Sequence, residues 1–262
     1  MALFKTGKRE APRTRKNKGL DADLDGYILD ENSPFAMQEA YKALRTNVIF
    51  SIPGDGCKVI LVTSSIQGEA KSTTAVNLAV AFAQNGSKTL LIDADLRLPT
   101  CATRLKVESK PGLSNFLVGM NSYEECLRKL DNGLHLVPAG DIPPNPTELL
   151  GSAAMGRFLD ALKKNYEYII IDTPPVCTVA DAAILSSLTS GVVLVSRQYV
   201  ASRESVGEAI RRLEFANAKI LGIVFTAVEN EKQKSYKKKG YGYGYGYEYG
   251  KKPSGGEKEG AK

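Results

Sequence analysis

The sequence contains little of what most metal sites and membrane spans require. It has one histidine, His135, and four cysteines, none of which form a C-x-x-C pair. This scarcity argues against a zinc site and favours reduced cysteines, as in cytosolic proteins. No apolar run approaches the roughly 18–20 residues of a transmembrane helix, and the N-terminal residues contain no apolar signal-peptide core. We therefore expect a cytoplasmic chain that is not secreted.

Charge is distributed unevenly along the chain. The net charge is +6, yet residues 1–20 alone carry seven Lys/Arg against one Glu, and residues 230–262 carry nine Lys against four Glu. The residues between them are therefore acidic overall. Basic ends can attract nucleic acid, anionic phospholipid or an acidic partner, or they can be solvated extensions. Because the basic residues lie in the two ends, we expect no nucleic-acid partner for the domain between them.

Hydrophobic patterning divides the chain into one domain and two flanking segments. The basic segment 1–32 and the tail 230–262, which is rich in Lys, Gly and Tyr, are both predicted to be disordered. In the domain, residues 33–229, short apolar runs alternate with helical segments. This alternation indicates an α/β fold with a mostly parallel sheet that is flanked by helices on both faces. The predicted strands are 58–63, 89–93, 134–138, 168–172, 191–196 and 220–228, and the predicted helices are 33–50, 72–84, 122–130, 151–165, 180–188 and 202–216.

A phosphate-binding loop is predicted where residues 64–73 read SSIQGEAKST, between a buried strand and a helix. In such a loop Lys71 reaches the β- and γ-phosphates of ATP and Ser72 ligates Mg²⁺. Ser65 and Ala70 stand where the common pattern has glycine. If Ala70 needs a left-handed backbone, it costs about 1–2 kcal/mol and weakens ATP binding by roughly tenfold. The alternative is a serine-rich turn with a chance Gly-x-x-Lys. The predicted nucleotide contacts are Ser65, Gly68, Glu69, Ala70, Lys71, Ser72 and Thr73.

Three aspartates are predicted to meet at one edge of the sheet. Asp93 ends the strand in LLIDADLRLP, Asp95 follows two residues later, and Asp172 ends the strand in IIIDTPP. Because ligands of parallel sheets bind at the carboxyl ends of the strands, these carboxylates can hold Mg²⁺ and activate an attacking hydroxyl. A single strand-end aspartate often caps a helix instead. Three of them beside a phosphate loop favour a catalytic site.

These three segments resemble the Walker A, Walker A′ and Walker B motifs of the bacterial tyrosine kinases, which belong to the deviant-Walker P-loop ATPases. The resemblance runs from about residue 34 to 228 and includes GLSNFLVG at 112–119 and PPNPTELL at 143–150. It is greatest for the separate cytoplasmic kinases that are encoded with capsule or exopolysaccharide genes in Gram-positive bacteria.

The resemblance implies a role for each matching residue. Lys71 would hold the ATP phosphates, and Ser72 would organise Mg²⁺ together with Asp93 and Asp172. Asp93 would also be the base for the tyrosine hydroxyl, with Asp95 supporting the metal or the transition state. The catalytic residues expected from the family are therefore Lys71, Asp93 and Asp95.

A helix motif of the same family lies near the start of the domain. Glu39, Lys42 and Arg45 match the pattern E-x-x-R-x-x-R, with Lys42 in place of the usual arginine. The resemblance implies that this helix packs protomers into a homo-oligomeric ring. The alternative is a plain amphipathic surface helix, in which an i,i+3 ion pair contributes about a few tenths of a kcal/mol.

The tail concentrates half of the twelve tyrosines of the chain. Glycine spacing keeps them accessible, and in a ring the tail of one subunit can reach the site of its neighbour. Each phosphate would add about −1.5 to −2 charges, which would reverse the positive charge of the tail and drive subunits apart. The alternative is an aromatic tail for weak association or for stacking on RNA. The predicted phosphoacceptors are Tyr236, Tyr241, Tyr243, Tyr245, Tyr247 and Tyr249.

We therefore predict an ATP-dependent protein-tyrosine autokinase that regulates capsular or exopolysaccharide synthesis and phosphorylates its tail in trans. The resemblance implies a membrane-anchored activator that recruits the chain to the inner face of the cell membrane, and a cognate phosphotyrosine phosphatase. Two alternatives stay open. One is a positioning ATPase of the partition or septum-site type, although those usually carry an extra lysine where this chain has Ile66. The other is a nucleotide-binding regulator whose kinase activity is impaired by Ala70.

Overall fold

The computed structural model describes residues 27–228, and its main compact unit ends at Ala227. The predicted disorder of residues 1–26 and of the tail lies outside the described residues, as do the six tail tyrosines. None of the helices within residues 27–228 is long and apolar enough to cross a membrane.

Residues 27–33, which we call the N-terminal strap, pack against the domain. Leu29 is buried, and its N–H donates to the side-chain oxygen of Asn77 at 2.8 Å. The Asn77 amide donates in turn to the carbonyl of Tyr27 at 2.9 Å. The packed region therefore begins before residue 33, where the sequence placed its boundary. The strap is held by one buried apolar side chain and two hydrogen bonds to its backbone. These contacts produce no hydrophobic periodicity, so the sequence did not reveal them.

Seven strands and nine helices follow the strap within the described residues. The strands are β1 (Lys58–Ser64), β2 (Thr89–Asp93), β3 (Arg128–Lys129), β4 (His135–Val137), β5 (Tyr168–Asp172), β6 (Gly191–Arg197) and β7 (Ile220–Thr226). The helices are α1 (Phe35–Ser51), α2 (Lys71–Ala83), α3 (Cys101–Arg104), α4 (Leu113–Leu117), α5 (Tyr123–Cys126), α6 (Pro146–Leu150), α7 (Ala153–Leu162), α8 (Asp181–Ser186) and α9 (Arg203–Phe215).

The strands form one sheet in the order β3-β4-β2-β5-β1-β6-β7. Every neighbouring pair is parallel except β3 and β4, which are antiparallel. Helices cover both faces of the sheet. Alternate residues of the buried strands point to opposite faces, so each face presents apolar side chains to the helices that cover it. In β1, Val59 and Leu61 pack in a cluster with α7 and α9, whereas Ile60 and Val62 pack in a second cluster with α2. The predicted α/β fold is confirmed.

One local prediction was wrong, and a second gave a helix that is longer than the observed one. The helix expected over 122–130 ends at Cys126, because Leu127 turns into an extended conformation and β3 pairs with β4. The helix expected over 151–165 begins only at Ala153, where the Ser152 hydroxyl accepts the N–H of Met155 and caps α7. The preceding turn is a separate helix, α6, that starts with Pro146. Short helices of four or five residues carry too little periodicity to be predicted from sequence.

Strand register brings the site together. Asp93 at the end of β2 pairs with Asp172 at the end of β5, and Val62 of β1 is the neighbour of Asp172 on the other side. The loop that follows β1 therefore begins beside both aspartates. All of these groups lie at the carboxyl edge of the sheet, as the sequence predicted.

Candidate active site

The loop between β1 and α2 reaches the helix through two residues with positive φ. Gly68 has φ 86°, and Ala70 has φ 65° and ψ 28°. Glycine adopts this conformation without a steric penalty, whereas alanine there costs about 1–2 kcal/mol. The expectation that the position before Lys71 needs a left-handed backbone is confirmed.

The side chain of Glu69 holds this loop from inside the protein. Glu69 is fully buried, and its carboxylate accepts the Ser65 hydroxyl at 2.8 Å and the Ile66 N–H at 2.7 Å. The N–H of Arg197 at the end of β6 donates to the same carboxylate at 3.3 Å. Ser65 and Glu69 were predicted to contact the nucleotide. In the structure their side chains bind each other and fix the shape of the loop whose backbone is predicted to bind phosphate.

The ammonium of Lys71 lies between two carboxylates. Its Nζ is 2.8 Å from Asp95 Oδ2 and 3.8 Å from Asp172 Oδ1, and it donates to the Ser72 hydroxyl at 3.1 Å. Burial opposes the charged form, but Asp172 and Asp95 outweigh it and raise the pKa of Lys71 above its usual range. Lys71 therefore stays positively charged in the site.

Asp93 lies behind Asp95 and is held by backbone groups. It is fully buried, and its carboxylate accepts the N–H groups of Asp95, Thr100 and Cys101 at 3.2, 3.1 and 3.0 Å. The last two of these N–H groups belong to Thr100, which precedes α3, and to Cys101, its first residue, so the Asp93 carboxylate caps the start of this short helix. Burial, followed by the neighbouring Asp172 carboxylate, raises the pKa of Asp93 to about 7.

Asp95 is the carboxylate that faces the open side of the site. One of its oxygens accepts Lys71 Nζ, and the other accepts the N–H of Leu98 at 3.0 Å. Asp95 lines a cavity of about 270 Å³ between the phosphate loop and the segment after β5, whereas Asp93 does not. Gly68, Lys71 and Ser72 line the same cavity.

Asp172 is buried beside a thiol that the sequence analysis did not single out. Burial raises the pKa of Asp172, although the Lys71 ammonium opposes the shift. Its Oδ2 accepts the Cys101 thiol at 3.6 Å, and its Oδ1 has no hydrogen-bond partner within residues 27–228. Carboxylate oxygens of Asp93 and Asp172 and the Cys101 sulfur all lie within 4.8 Å of one another.

A second, apolar cavity adjoins the phosphate loop on the other side. Its volume is about 400 Å³, and it lies between α1, α2 and β7. Tyr41 and Leu44 of α1 and Phe225 of β7 form apolar walls, while Ala70 and Thr73 connect it to the loop. Thr73 Oγ1 is buried and finds no hydrogen-bond partner in the described part of the chain.

Arg97 is a further residue of the site that sequence reasoning missed. It lines the cavity next to the phosphate loop, and its Nε donates to Asp181 Oδ2 at 3.0 Å. The Thr147 hydroxyl donates to the other oxygen of Asp181 at 2.6 Å. Thr147 belongs to PPNPTELL, so this network links that segment to LLIDADLRLP. The available signal was an arginine two residues after Asp95.

The three predicted interface residues on α1 do not share one environment. Glu39 and Lys42 are exposed and form an i,i+3 ion pair with 2.8 Å between Lys42 Nζ and Glu39 Oε1. Arg45 instead donates to the carbonyl of Ala81 at 2.8 Å, near the end of α2. Glu39 and Lys42 are therefore accessible, whereas Arg45 joins α1 to α2 within the chain.

Comparison with known proteins places this geometry in a family. The family described as AAA domain matches residues 57–220. The chain is 38% identical over 224 residues to the tyrosine-protein kinase YwqD of Bacillus subtilis, which covers 85% of this chain and 94% of that protein. It is 40% identical over 201 residues to the tyrosine-protein kinase CpsD of Streptococcus agalactiae, with coverage of 76% and 86%.

Solved structures agree with these sequence matches. The kinase domain of the Escherichia coli tyrosine kinase ETK superposes with a TM-score of 0.72 at 28% identity, covering 85% of this chain and 88% of that one. The septum site-determining protein MinD of Pyrococcus horikoshii, complexed with Mg-ADP, superposes with a TM-score of 0.56 at 22% identity, covering 64% and 70%. The second match shows a shared fold alone.

Replacing Ala70 by glycine should stabilise the protein. Glycine removes a conformational penalty of about 1–2 kcal/mol from the folded state. Its greater freedom in the unfolded chain lowers the free energy of unfolding by about 0.4–1 kcal/mol. We expect the free energy of unfolding, measured with denaturant, to rise by about 0.5–1 kcal/mol. Ala40→Gly is the matched control, because Ala40 is exposed within α1 and should lose about 1 kcal/mol. A loss of stability at both positions would contradict the strain at Ala70.

The raised pKa of Asp93 should make stability depend on pH. Its folded pKa of about 7 exceeds the unfolded value of about 3.9, so the folded state binds the proton more readily. The contribution of this group to the free energy of unfolding therefore falls as pH rises through this window. Denaturant unfolding with a chelator present should show a decline between about pH 4 and about pH 7, and Asp93→Asn should reduce it. Asp160→Asn, at an exposed carboxylate of α7, should leave the decline unchanged. If Asp93→Asn declined as much as the parent chain, the decline would not come from Asp93.

Proposed function

Because the chain belongs to the family of bacterial tyrosine-protein kinases, we propose that its P-loop site transfers the γ-phosphoryl group of ATP to the tyrosines of its own C-terminal tail. The observation that carries this proposal is the position of Lys71 between Asp95 and Asp172. This arrangement puts one cation and several carboxylates directly beside a phosphate-binding loop. We further propose that the activity regulates capsular or exopolysaccharide synthesis.

The residues of the site fit Mg-ATP. Two buried polar atoms, Thr73 Oγ1 and Asp172 Oδ1, have no hydrogen-bond partner among the described residues, and buried polar atoms are rarely left so. Both belong to segments that contact nucleotide or metal in P-loop proteins. The apolar cavity beside Ala70 and Thr73 has the character of a base pocket, while the cavity lined by Lys71 and Ser72 has that of a phosphate pocket.

Two parts of the site would bind Mg-ATP: the phosphate loop would bind the phosphates, and the strand ends would bind the metal. The N–H groups of the loop and the N-terminus of α2 bind phosphate oxygens, and Lys71 holds the β- and γ-phosphates. Ser72 and Asp172, with Asp93 behind them, would hold Mg²⁺. Bound Mg-ATP would supply the phosphoryl group, and its metal would neutralise the charge that develops during transfer. Lys71, which stays charged, adds to that stabilisation.

The tyrosine hydroxyl must lose its proton to a carboxylate. The sequence assigned this role to Asp93, but Asp93 does not line the cavity and already accepts three backbone N–H groups. Asp95 does line it. Because a base must be within hydrogen-bond reach of its proton, we propose that Asp95 accepts the proton once Lys71 turns to phosphate. The Asp93 carboxylate would then position Asp95 by accepting the backbone N–H of Asp95. It would also hold the start of α3, whose first N–H it accepts.

The two alternatives receive less support. A positioning ATPase would share the fold, but the match to a septum-site protein is only 22% identical, against 38% and 40% for tyrosine-protein kinases. An impaired regulator would follow if the strain at Ala70 blocked turnover. A large gain of autophosphorylation in Ala70→Gly would favour that alternative.

We also propose that the chain binds two protein partners and assembles into a ring. A membrane-anchored activator would recruit the chain to the inner face of the cell membrane, and a cognate phosphatase would reset the tail. The protomers would form a ring through the exposed part of α1, where Glu39 and Lys42 are accessible and Phe35 and Phe50 are largely exposed. The tail of one subunit would then reach the site of its neighbour.

Lys71→Met should abolish tyrosine phosphorylation of the tail. The full chain is incubated with Mg-ATP, with and without the cytoplasmic segment of the activator, and phosphotyrosine is mapped by mass spectrometry. We expect phosphate on tyrosines within 236–249 in the parent chain and none in Lys71→Met, because the phosphates lose their cation. Lys163→Met removes a partly exposed lysine that directly follows α7 and should leave phosphorylation unchanged.

Two results would count against the kinase proposal. If ATP binds but no phosphotyrosine forms under either condition, the site serves a switch ATPase or a regulator. If Lys71→Met retains phosphotyrosine, the phosphate comes from a contaminating kinase.

Charge reversal at Lys42 should weaken ring formation. Lys42→Glu sets two carboxylates three residues apart on α1 and removes the cation offered to a neighbouring protomer. We expect a shift from ring to smaller species in sedimentation velocity. Lys163→Glu is the matched control, because Lys163, at the C-terminal end of α7, also forms an i,i+3 ion pair, with Asp160. Equal sedimentation of both variants and the parent chain would show that this face of α1 is not the interface.

A further inference from the structure

One side of the Arg97 guanidinium is held by a buried carboxylate and a hydroxyl. Its Nε donates to Asp181 Oδ2 at 3.0 Å, and its Nη2 donates to Thr147 Oγ1 at 2.8 Å and to Asp181 Oδ1 at 3.4 Å. Asp181 is fully buried and also accepts the Thr147 hydroxyl at 2.6 Å. These bonds fix the plane of the guanidinium, and neither Asp181 nor Thr147 lines the cavity that Arg97 lines.

The other side of the guanidinium faces the cavity of about 270 Å³ that Lys71 and Ser72 also line. The side chain of Arg97 is 37% exposed, so this cavity is open to it. Its Nη1 carries two N–H groups, and none of the hydrogen bonds within residues 27–228 involves that atom. A guanidinium whose rotamer is fixed by other residues offers a preformed pair of donors, which suits the oxygens of a phosphoryl group.

We infer that Arg97 binds the γ-phosphoryl oxygens of ATP, and that Asp181 and Thr147 are positioning residues that orient its guanidinium. This inference rests on the proposed function, because it takes the cavity to be the phosphate pocket. Lys71 and Arg97 line the same small cavity, so one phosphoryl group can contact both cations. Arg97 therefore has a role in the site besides linking two segments of the chain.

The charge balance of the site supports a second cation. A phosphoryl group that is being transferred carries negative charge on its three outer oxygens, and those oxygens need donors that are already in place. Lys71 shares its ammonium with Asp95 and Asp172, whereas the Nη1 donors of Arg97 are not shared with either carboxylate. Arg104 lines the cavity too, but it also lines the groove beside the strap and therefore lies nearer the rim.

The test compares two nucleotides that differ only in the γ-phosphoryl group. Calorimetric titration of the full chain with Mg²⁺ present measures the affinity for a non-hydrolysable ATP analogue and for ADP. In Arg97→Met we expect the analogue affinity to fall by about tenfold to a hundredfold, because hydrogen bonds to a charged group are lost. The ADP affinity should change by less than about twofold. An equal loss for both nucleotides, or no loss for either, would overturn the inference.

A second variant guards against misfolding. Arg97→Met leaves the buried Asp181 carboxylate with the Thr147 hydroxyl as its remaining partner in the described part of the chain, which destabilises the fold. The double variant Arg97→Met, Asp181→Asn removes both charges and should show the same selective loss of analogue affinity. Arg211→Met is the matched control, because Arg211 also bonds a carboxylate, that of Glu208, through Nε and Nη2 on exposed α9. It should keep both affinities, and a selective loss there would contradict the assignment to Arg97.

Two substitutions of Thr147 test the positioning role. Thr147→Val keeps the ion pair of Arg97 and Asp181 but removes the hydroxyl between them. The analogue affinity should then fall by about threefold to tenfold relative to the ADP affinity. Thr147→Ser keeps the hydroxyl and should keep the parental ratio of the two affinities. If Thr147→Val lowers the free energy of unfolding without changing that ratio, the hydroxyl is structural and the positioning role is wrong.

Autophosphorylation gives a separate measurement. In Arg97→Met the KM for ATP should rise by at least about tenfold, and an unchanged KM would contradict the γ-phosphoryl contact. If neither the parent chain nor any variant phosphorylates its tail, the kinase proposal fails. The ratio of analogue affinity to ADP affinity still decides the role of Arg97 in that case.

Discussion

The ion pairing of one lysine ammonium with several aspartates is the interaction on which the rest of this site depends. Burying a carboxylate is costly unless a cation or hydrogen bonds compensate it. Lys71 compensates Asp95 fully and Asp172 in part, while Asp93 relies on backbone N–H groups and on a raised pKa. The cluster therefore has more carboxylate than cation, which makes it receptive to divalent metal.

The fold supplies this cluster through strand register. β2 and β5 place Asp93 and Asp172 side by side, and β1 delivers the phosphate loop to the same edge. The buried Glu69 then shapes the loop, and the start of α3 closes over Asp93. Rigid elements hold each charged group in place, so its electrostatic effect needs little rearrangement.

The sequence predicted those parts of the structure that follow from periodicity and from position along the chain. The parallel strands, the left-handed requirement at Ala70 and the meeting of Asp93 with Asp172 all follow from local patterns. The sequence could not show that Asp95 faces the cavity while Asp93 lies behind it, because both aspartates lie at the end of the same strand. Nor could it bring Cys101 to Asp172, or Thr147 to Asp181, since those contacts depend on how short helices and loops return to the sheet.

The N-terminal strap has a practical meaning for anyone who shortens this protein. Asn77 lies on the helix that begins at Lys71, and both polar atoms of its side chain are bonded to the backbone of the strap. Cutting the chain at residue 34 would leave that amide without these partners beside an uncovered apolar pocket, at a cost of about 1–3 kcal/mol. The smallest independently folding version of this domain should therefore begin at or before residue 27, even though composition suggests a later start.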